Sequence, residues 1–414
     1  MKNYVIIGNG VAATGCIEGI MSVDKSSKIT VVSEEKYAVY CRPLISYYLE
    51  GKTTLEKMNY RNDNFYKNND CDVIYGKKAV EIKNDKKCVV LDDGTELPFD
   101  KVCVASGSSP FVPPFEGLDT VKNKFSFMTI DDTLALEKAI TKDSKVLIVG
   151  AGLIGLKCAE GICDRVAEIT VCDLADRILS SILDNECAAI MQKHLESYGI
   201  KFELGDTVER FDGNTAVMKS KKEISFDVLV LAVGVRANTE LVQKLGGEVN
   251  RGIIVNDKMQ TSVENIYAAG DCTEGDDASL GEKRVLAILP NAYMQGHCAG
   301  VNMADSEEVF DNAIPMNSIG FFGLHAMTAG SYFTGDNASL IEKKGENSIK
   351  RLYLKDGYLC GFIIIGPVEN AGIYTSMIRE KTPLETIDME LLKENPTLSI
   401  FSSEICRKKL GGVI

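Results

Sequence analysis

Two stretches of the chain repeat one pattern, in which an apolar strand runs into a glycine-rich turn and then into a helix. The first strand, 4–7, is followed by Gly8-Asn9-Gly10-Val11-Ala12-Ala13. The second strand, 145–149, is followed by Gly150-Ala151-Gly152-Leu153-Ile154-Gly155. The first glycine of such a turn permits a tight bend, the second admits a phosphate to the backbone, and the third small residue lets helix pack on strand. The pattern predicts two βαβ units that bind nucleotides at their turns.

Each unit continues into a further strand that ends in acidic side chains. Glu34 and Glu35 follow the strand 28–32, and Asp173 closes the corresponding strand of the second unit. An acid at this point accepts hydrogen bonds from ribose hydroxyls, and it repels a 2′-phosphate. Asp173 therefore favours NADH over NADPH, although Arg177 lies nearby. A tight connection that binds no ligand is the alternative, and two complete units in one chain argue against it.

Three further apolar segments end in small or acidic residues, as strands of an open α/β sheet do where they meet a ligand. They are 101–110, which contains Ala105, Ser106 and Gly107; 227–234, which ends in Val233 and Gly234; and 265–271, which ends in Gly270 and Asp271.

Charge and cysteine content argue against several classes of partner and of site. The net charge of −13 argues against nucleic acid or an anionic membrane as partner. No apolar run approaches the roughly 20 residues of a spanning helix, and the chain opens on a strand, so we expect a cytoplasmic protein. The thirteen cysteines include no Cys-x-x-Cys pair and there are three histidines, so neither a metal site nor a reactive dithiol of that type is expected.

The two glycine turns, the Ala-Ser-Gly and Ala-Val-Gly strand ends and the late Ala-Gly-Asp together resemble the two-dinucleotide flavoprotein reductases. The resemblance covers nearly all of residues 1–310. It implies an α/β fold with two Rossmann-like domains, for FAD and NAD(H), in a glutathione-reductase-like arrangement, plus a small α+β C-terminal domain. The implied FAD-binding domain is 1–112 with 242–310, the NAD-binding domain is 113–241, and a capping or interface domain is 311–414.

The stretch Tyr37–Leu49 carries the pattern Tyr-x-Arg-Pro-x-x-Ser-x-x-Leu. With the hairpin-like stretch 350–362, it is similar to NADH:rubredoxin oxidoreductases and to the flavin part of assimilatory nitrite reductase. That likeness implies electron transfer from NADH through FAD to an iron–sulfur carrier protein or subunit, such as rubredoxin or a ferredoxin-like protein. It also allows a homodimer formed through the C-terminal domain.

The same resemblance implies which residues form the site. Arg42 is the expected flavin-side charge, and Lys157 stands where the family usually has a glutamate near flavin and nicotinamide. The expected cofactor contacts are Gly8, Gly10, Val11, Ala12, Ala13, Glu34, Glu35, Arg42, Pro43, Val80, Ala105, Ser106, Gly107, Gly150, Gly152, Leu153, Ile154, Gly155, Asp173, Val233, Gly234, Gly270, Asp271 and Pro290.

Two alternative functions stay open. Cys41 lies beside Arg42, which could lower the pKa of its thiol as a reactive cysteine requires. With such a thiol, or without it, the chain would be an NADH oxidase or peroxidase, or a CoA-disulfide reductase. The alternative is that Cys41 is a packing residue with no part in the reaction. A non-catalytic flavoprotein scaffold is the last alternative, and the intact second glycine turn speaks against it.

Overall fold

The computed structural model describes residues 1–332, 336–394 and 396–409. The chain divides into two compact units: Met1–Leu179 with Glu196–Asp276 and Lys283–Asp311, and Ser180–Leu195 with Asp277–Glu282 and Asn312–Ile414. Ser180–Leu195 therefore folds with the second unit, although the chain on either side of it lies in the first. No helix in the described ranges is both long and apolar enough to cross a membrane.

The helices are α1 (Val11–Val23), α2 (Ile45–Leu49), α3 (Phe65–Asn68), α4 (Ile130–Ala139), α5 (Leu153–Ile162), α6 (Asn185–Glu196), α7 (Glu240–Lys244), α8 (Leu289–Met303), α9 (Ala371–Arg379), α10 (Met389–Glu394) and α11 (Ser403–Lys409). The strands are β1 (Asn3–Ile7), β2 (Lys28–Ser33), β3 (Cys71–Tyr75), β4 (Ala79–Lys83), β5 (Cys88–Leu91), β6 (Glu96–Pro98), β7 (Lys101–Val104), β8 (Ser108–Pro110), β9 (Lys124–Phe125), β10 (Lys145–Val149), β11 (Glu168–Asp173), β12 (Ile200–Leu204), β13 (Val208–Asp212), β14 (Thr215–Met218), β15 (Glu223–Ser225), β16 (Val228–Leu231), β17 (Val235–Ala237), β18 (Ile253–Ile254), β19 (Ile266–Ala268), β20 (Thr273–Asp277), β21 (Glu282–Arg284), β22 (Met316–Phe321), β23 (Leu324–Gly330), β24 (Ala338–Lys344), β25 (Ile349–Lys355) and β26 (Tyr358–Ile365).

The first unit contains two parallel five-stranded sheets. The first has the order β19-β7-β1-β2-β3 and the second the order β12-β11-β10-β16-β9. Their central strands are apolar and buried along nearly their whole length, as strands covered on both faces must be. The predicted pair of Rossmann-like sheets is confirmed, and each glycine turn lies at the carboxyl end of its sheet's central strand.

Helices α1 and α8 of the first unit pack so closely that each presents glycine to the other. A Cβ on Gly15 would lie 2.9 Å from a backbone nitrogen of α8, and one on Gly296 would lie 2.8 Å from a backbone carbon of α1. A second glycine on each helix, Gly19 or Gly300, repeats the contact one turn further along. The packing therefore holds the beginning of α8 beside the beginning of α1.

The second unit is built on an antiparallel five-stranded sheet in the order β22-β23-β26-β25-β24. Strands β25 and β26 form the hairpin expected at 350–362, with Asp356 and Gly357 in its turn. Helix α9 packs on the buried side chains of the sheet through Tyr374, which contacts Phe362.

An ion-pair cluster attaches the start of α6 to this sheet. Arg351 on β25 pairs with Asp184, Glu186 and Glu342, and its side chain is 11% exposed. Lys344 adds a pair with Glu186. The cluster explains why 180–195 folds with the second unit, because a buried guanidinium needs its carboxylates close by.

Candidate functional site

The first glycine turn joins β1 to α1 and leaves the beginning of the helix uncapped. Gly8 has a φ of +109°, and a Cβ there would lie 2.7 Å from the carbonyl carbon of Ala105. A Cβ on Gly10 would meet only open space. Gly10 is the N-cap residue, and no side chain in the described chain caps the helix there. In the described chain the amide groups that begin α1 at Val11 have no side-chain cap, and together with the open space at Gly10 they fit a phosphate.

The second turn, between β10 and α5, has the same geometry. Gly150 has a φ of +118°, and a Cβ there would lie 2.6 Å from the carbonyl carbon of Ala232. Gly152 faces open space and caps α5 without side-chain help among the described residues. Leu153 and Ile154 then begin the helix. The residues present at both turns therefore fit the pyrophosphate of a dinucleotide.

Asp173 is fixed against the second turn. Its Oδ2 accepts a hydrogen bond from the amide of Ala151 at 2.7 Å, and its Oδ1 accepts one from the amide of Ala175 at 2.8 Å. Each carboxylate oxygen keeps a further lone pair that a ribose hydroxyl can use. Arg177 pairs with Asp176 at 3.0 Å. The carboxylate predicted to meet the ribose is thus held rigidly beside the glycines that precede it.

The two acids after β2 have different surroundings. Glu34 is 70% exposed and lies 3.4 Å from Lys78. Glu35 accepts a hydrogen bond from the Tyr40 hydroxyl at 2.7 Å and forms an ion pair with Arg42. Glu34 is the acid open to a ribose, whereas Glu35 is engaged within the protein.

Arg42 stands in a 3₁₀ turn, Arg42–Leu44, where Pro43 occupies the first turn. Besides the Glu35 pair, its Nη1 donates to the Tyr40 hydroxyl at 3.1 Å and to the Met128 carbonyl at 3.0 Å. Its side chain is still 44% exposed. The remaining donors of the guanidinium can therefore face a ligand while the others hold it in place.

Asp271 lies at the end of β19 within electrostatic reach of Arg42. Burial raises the pKa of Asp271, while Arg42 and a hydrogen bond from Ser108 oppose the rise. Gln295, which is buried in α8, accepts hydrogen bonds from the Gly270 amide at 2.9 Å and from the Thr273 hydroxyl at 3.2 Å. The sequence reading missed Gln295, and its one signal was the predicted ligand segment at Pro290 a few residues earlier.

The other predicted contacts follow the ends of β7 and β16, begin helix α8 or lie on strand β4. Ala105 and Gly107 follow β7, and the Ser106 hydroxyl between them donates to the Asn238 carbonyl at 2.9 Å. Val233 and Gly234 follow β16, and Pro290 stands in the first turn of α8. Val80 is exposed on β4, where its carbonyl accepts from the Lys244 ammonium at 3.2 Å.

The suggestion that Arg42 lowers the pKa of Cys41 is wrong. Burial raises the pKa of the Cys41 thiol, and a hydrogen bond from the Leu44 amide only partly opposes the rise. Arg42 directs its guanidinium to Glu35, Tyr40 and Met128 instead. The thiol therefore has no special tendency to ionise.

Lys157 lies on the second turn of α5, where α5 contacts α2. Its ammonium pairs with Glu160 and lies 4.8 Å from the centroid of the Tyr47 ring. The Lys157 side chain is 18% exposed and that of Glu160 is 5% exposed. The positive charge is thus neutralised locally, and Lys157 and Arg42 each have their own carboxylate.

Two parallel sheets, each with an uncapped glycine turn and a strand-end acid, define a class of reductases that use two dinucleotides. The chain belongs to the pyridine nucleotide-disulphide oxidoreductase family, whose model matches residues 2–296.

Three relatives illustrate the range of this family. The NADH-dependent phenylglyoxylate dehydrogenase subunit epsilon of Aromatoleum evansii is 31% identical over 392 residues, 92% of either chain. An NADH oxidase of Methanocaldococcus jannaschii is 34% identical over 87% of either chain. NADH-rubredoxin oxidoreductase of Clostridium acetobutylicum is 24% identical over 89% of this chain and 92% of its own. A crystal structure of the Clostridium acetobutylicum enzyme matches 95% of this chain and all of its own with a TM-score of 0.76.

The family membership establishes the general chemistry. The protein is an oxidoreductase with FAD and NAD(H) as its cofactors, as the two turns predicted. The predicted kinship with the rubredoxin reductases is also confirmed.

Proposed function

We propose that this chain passes electrons from NADH through FAD to a small iron–sulfur protein, or to an iron–sulfur subunit of a larger enzyme. The observation that carries the proposal is the state of Cys41. The neighbouring Arg42 directs its guanidinium to Glu35, Tyr40 and Met128, and burial raises the pKa of the Cys41 thiol, so this stretch does not favour the thiolate that a peroxide or a disulfide needs. A flavin converts a two-electron donor into a source of single electrons, which an iron–sulfur centre accepts.

The names of two relatives support this acceptor class. One is an NADH-rubredoxin oxidoreductase, and another is a subunit of an NADH-dependent dehydrogenase. The first name gives a small iron–sulfur carrier as the acceptor, and the second gives a relative that works as one subunit of a larger NADH-dependent enzyme. The chain would then act as the module that admits electrons from NADH.

Within this proposal both glycine turns of the first unit bind dinucleotides. We assign FAD to 1–112 with 242–310 and the nicotinamide nucleotide to 113–241, although 277–282 and 180–195 pack with the second unit. The Gly8–Gly10 turn, Glu34 and Asp271 bind FAD in this assignment, and Arg42 supplies the charge at the flavin side. Residues 311–414 form the capping or interface domain.

Asp173 gives the nucleotide site its preference. Both of its oxygens are oriented by backbone amides, so the carboxylate cannot swing away from an incoming 2′-phosphate. Repulsion between these like charges at short range disfavours NADPH. We therefore propose NADH as the physiological donor.

The test compares electron acceptors after the protein has been reduced under anaerobic conditions. The FAD-loaded protein is reduced with NADH in a stopped-flow instrument and then mixed with a rubredoxin, a ferredoxin, a CoA disulfide or oxygenated buffer. Reoxidation by an iron–sulfur protein at least about tenfold faster than by oxygen supports the proposal. Faster reoxidation by oxygen contradicts it. The variant Cys41→Ser serves as control and should give the same ranking.

The second candidate is an NADH oxidase that works without a redox cysteine. It is favoured by the oxidase of Methanocaldococcus jannaschii, which has the highest identity of the three relatives described above. In the same experiment this candidate predicts rapid reoxidation by oxygen and inert protein acceptors. The two functions therefore give opposite outcomes.

A further inference from the structure

Four tyrosines of a single stretch, 37–48, reach from the proposed FAD-binding part to the proposed NAD-binding part. We name Tyr37, Tyr40, Tyr47 and Tyr48 the tyrosine seam. All four lie in the first unit with their partners. The sequence reading took this stretch as a flavin-side motif and gave the tyrosines no function.

Three members of the seam hold helix α4. The Tyr37 hydroxyl donates to Asp131 Oδ1 at 2.6 Å, and the Tyr48 hydroxyl donates to Glu137 Oε2 at 3.1 Å. The Tyr40 hydroxyl accepts a hydrogen bond from the amide of Ile130 at 3.3 Å. These partners are spread from the first turn of α4 to its last, so the helix is held at both ends.

The fourth member holds helix α5. The Tyr47 ring faces the Lys157 ammonium at 4.8 Å from the ring centroid, and Glu160 pairs with the same ammonium. A Cβ on Gly161 would lie 3.0 Å from the Ser46 carbonyl oxygen. Helices α2 and α5 are thus in close contact at this point, and Tyr47 adds a cation–π interaction to it.

The chain itself connects the two proposed parts only through a short two-stranded ribbon. The chain crosses through β8 and β17, which form a two-stranded antiparallel ribbon with exposed side chains at Val235 and Arg236. A two-stranded ribbon on its own is weakly stable and permits bending. The seam adds four side-chain contacts away from that ribbon.

We propose that the tyrosine seam positions the NAD-binding part on the FAD-binding part and thereby sets the separation across which hydride passes. The inference rests on the proposed function, since it assumes that the two turns hold the two dinucleotides. Bond-forming steps are steeply sensitive to placement, and an error of about 1 Å can cost about 100-fold in rate. Tyrosine suits the task because its rigid ring carries a polar tip that bridges a wet interface.

Two sets of variants test the seam. The double variant Tyr37→Phe/Tyr48→Phe removes both hydroxyl–carboxylate bonds and keeps the rings. Tyr47→Leu removes the ring that faces Lys157, and Tyr47→Phe keeps it. Tyr358→Phe, an exposed tyrosine of the second unit, is the matched control. The double variant preserves side-chain volume, so it carries the test if Tyr47→Leu fails to fold.

Three measurements separate positioning from general damage. Anaerobic stopped-flow mixing gives the limiting rate of flavin reduction and the Kd for NADH. Reduction by dithionite reports the flavin without the nucleotide site. Hydrogen–deuterium exchange reports the protection of α4 directly, independent of activity.

We expect the double variant and Tyr47→Leu to lower the limiting rate by about tenfold or more. The Kd for NADH should stay within about twofold, and dithionite reduction should be unchanged. Exchange in α4 should rise in the double variant, and Tyr47→Phe should match the unaltered protein.

Two outcomes overturn the inference. One is an unchanged limiting rate in both sets of variants, and the other is a loss confined to the Kd for NADH. If NADH does not reduce the unaltered protein, the proposed function itself is contradicted. This result would be seen before any variant is compared.

Discussion

The close contact between α1 and α8 makes Gly296→Ala a demanding test of the fold around the first glycine turn. Gly296 lies against the backbone of α1, one residue past Gln295, which holds Gly270. The new methyl group would lie 2.8 Å from the carbonyl carbon of Ala12 and closer still to its oxygen. Neither atom belongs to a flexible side chain, so one helix must move.

The magnitude follows from this geometry. Ordinary carbon–carbon contact begins at about 3.5 Å, so α8 must withdraw by roughly 1 Å. Overpacking of this kind costs about 1–3 kcal/mol or more, and a rigid backbone partner favours the upper end. Alanine recovers about 1 kcal/mol through its better helix propensity. We expect a net loss of about 2 kcal/mol in the free energy of unfolding.

The displacement should also weaken FAD binding, because α8 carries Gln295 and Ala292 against Gly270. The assay measures the thermal midpoint of apoprotein and FAD-loaded protein, and the ratio of flavin to protein absorbance after purification. Gly372→Ala is the matched control, since Gly372 is a helical glycine in α9 with no atom within 4 Å of an added Cβ. The control should be neutral or slightly stabilising.

A Gly296→Ala protein with an unchanged midpoint and unchanged FAD content would contradict the expected loss. It would mean that α1 and α8 can separate freely, and that their contact does not fix the first glycine turn.

Four further changes have defined outcomes. Arg351→Met should cost about 1–3 kcal/mol in denaturant unfolding, because three partly exposed carboxylates lose their shared cation. Asp173→Ala should lower the ratio of kcat/KM for NADH to kcat/KM for NADPH by about tenfold, and steady-state kinetics with both nucleotides would measure it. Cys41→Ser should leave turnover unchanged, and the native thiol should react slowly with iodoacetamide at neutral pH. Burial would raise the pKa of Glu18, but hydrogen bonds from Arg61 and Tyr293 and the Arg61 charge lower it below its ordinary value. The carboxylate therefore stabilises the fold above its unfolded pKa, and this contribution is lost as the pH falls through the lower folded pKa. Glu18→Gln should weaken the acid-induced loss of stability in pH-dependent unfolding.

Local patterns predicted the parts of the fold that depend on neighbouring residues. A strand followed by Gly8 or Gly150 forces a tight bend, because each has a positive φ and packs against an adjacent strand. The hairpin of β25 and β26 was expected because the stretch 350–362 resembles the corresponding hairpin of the family. These features need only a few consecutive residues to be recognised.

Long-range partners could not be predicted in the same way. Arg351 recruits Asp184 and Glu186 from a segment far earlier in the chain, and this places 180–195 in the second unit. Similarly, burial of Cys41 depends on how its surroundings pack, and the adjacent arginine suggested the opposite shift in pKa. The contact of Lys157 with the Tyr47 ring could not be predicted either, because Tyr47 lies on a different helix.

Every proposal above depends on one chain that binds FAD and reduces it with NADH. The most direct measurement is an anaerobic titration of the purified FAD-loaded protein with NADH, followed by the flavin absorbance near 450 nm. We expect about one NADH to bleach each flavin, and NADPH to be far less effective. A protein that retains no flavin, or a flavin that dithionite bleaches and NADH does not, would contradict it.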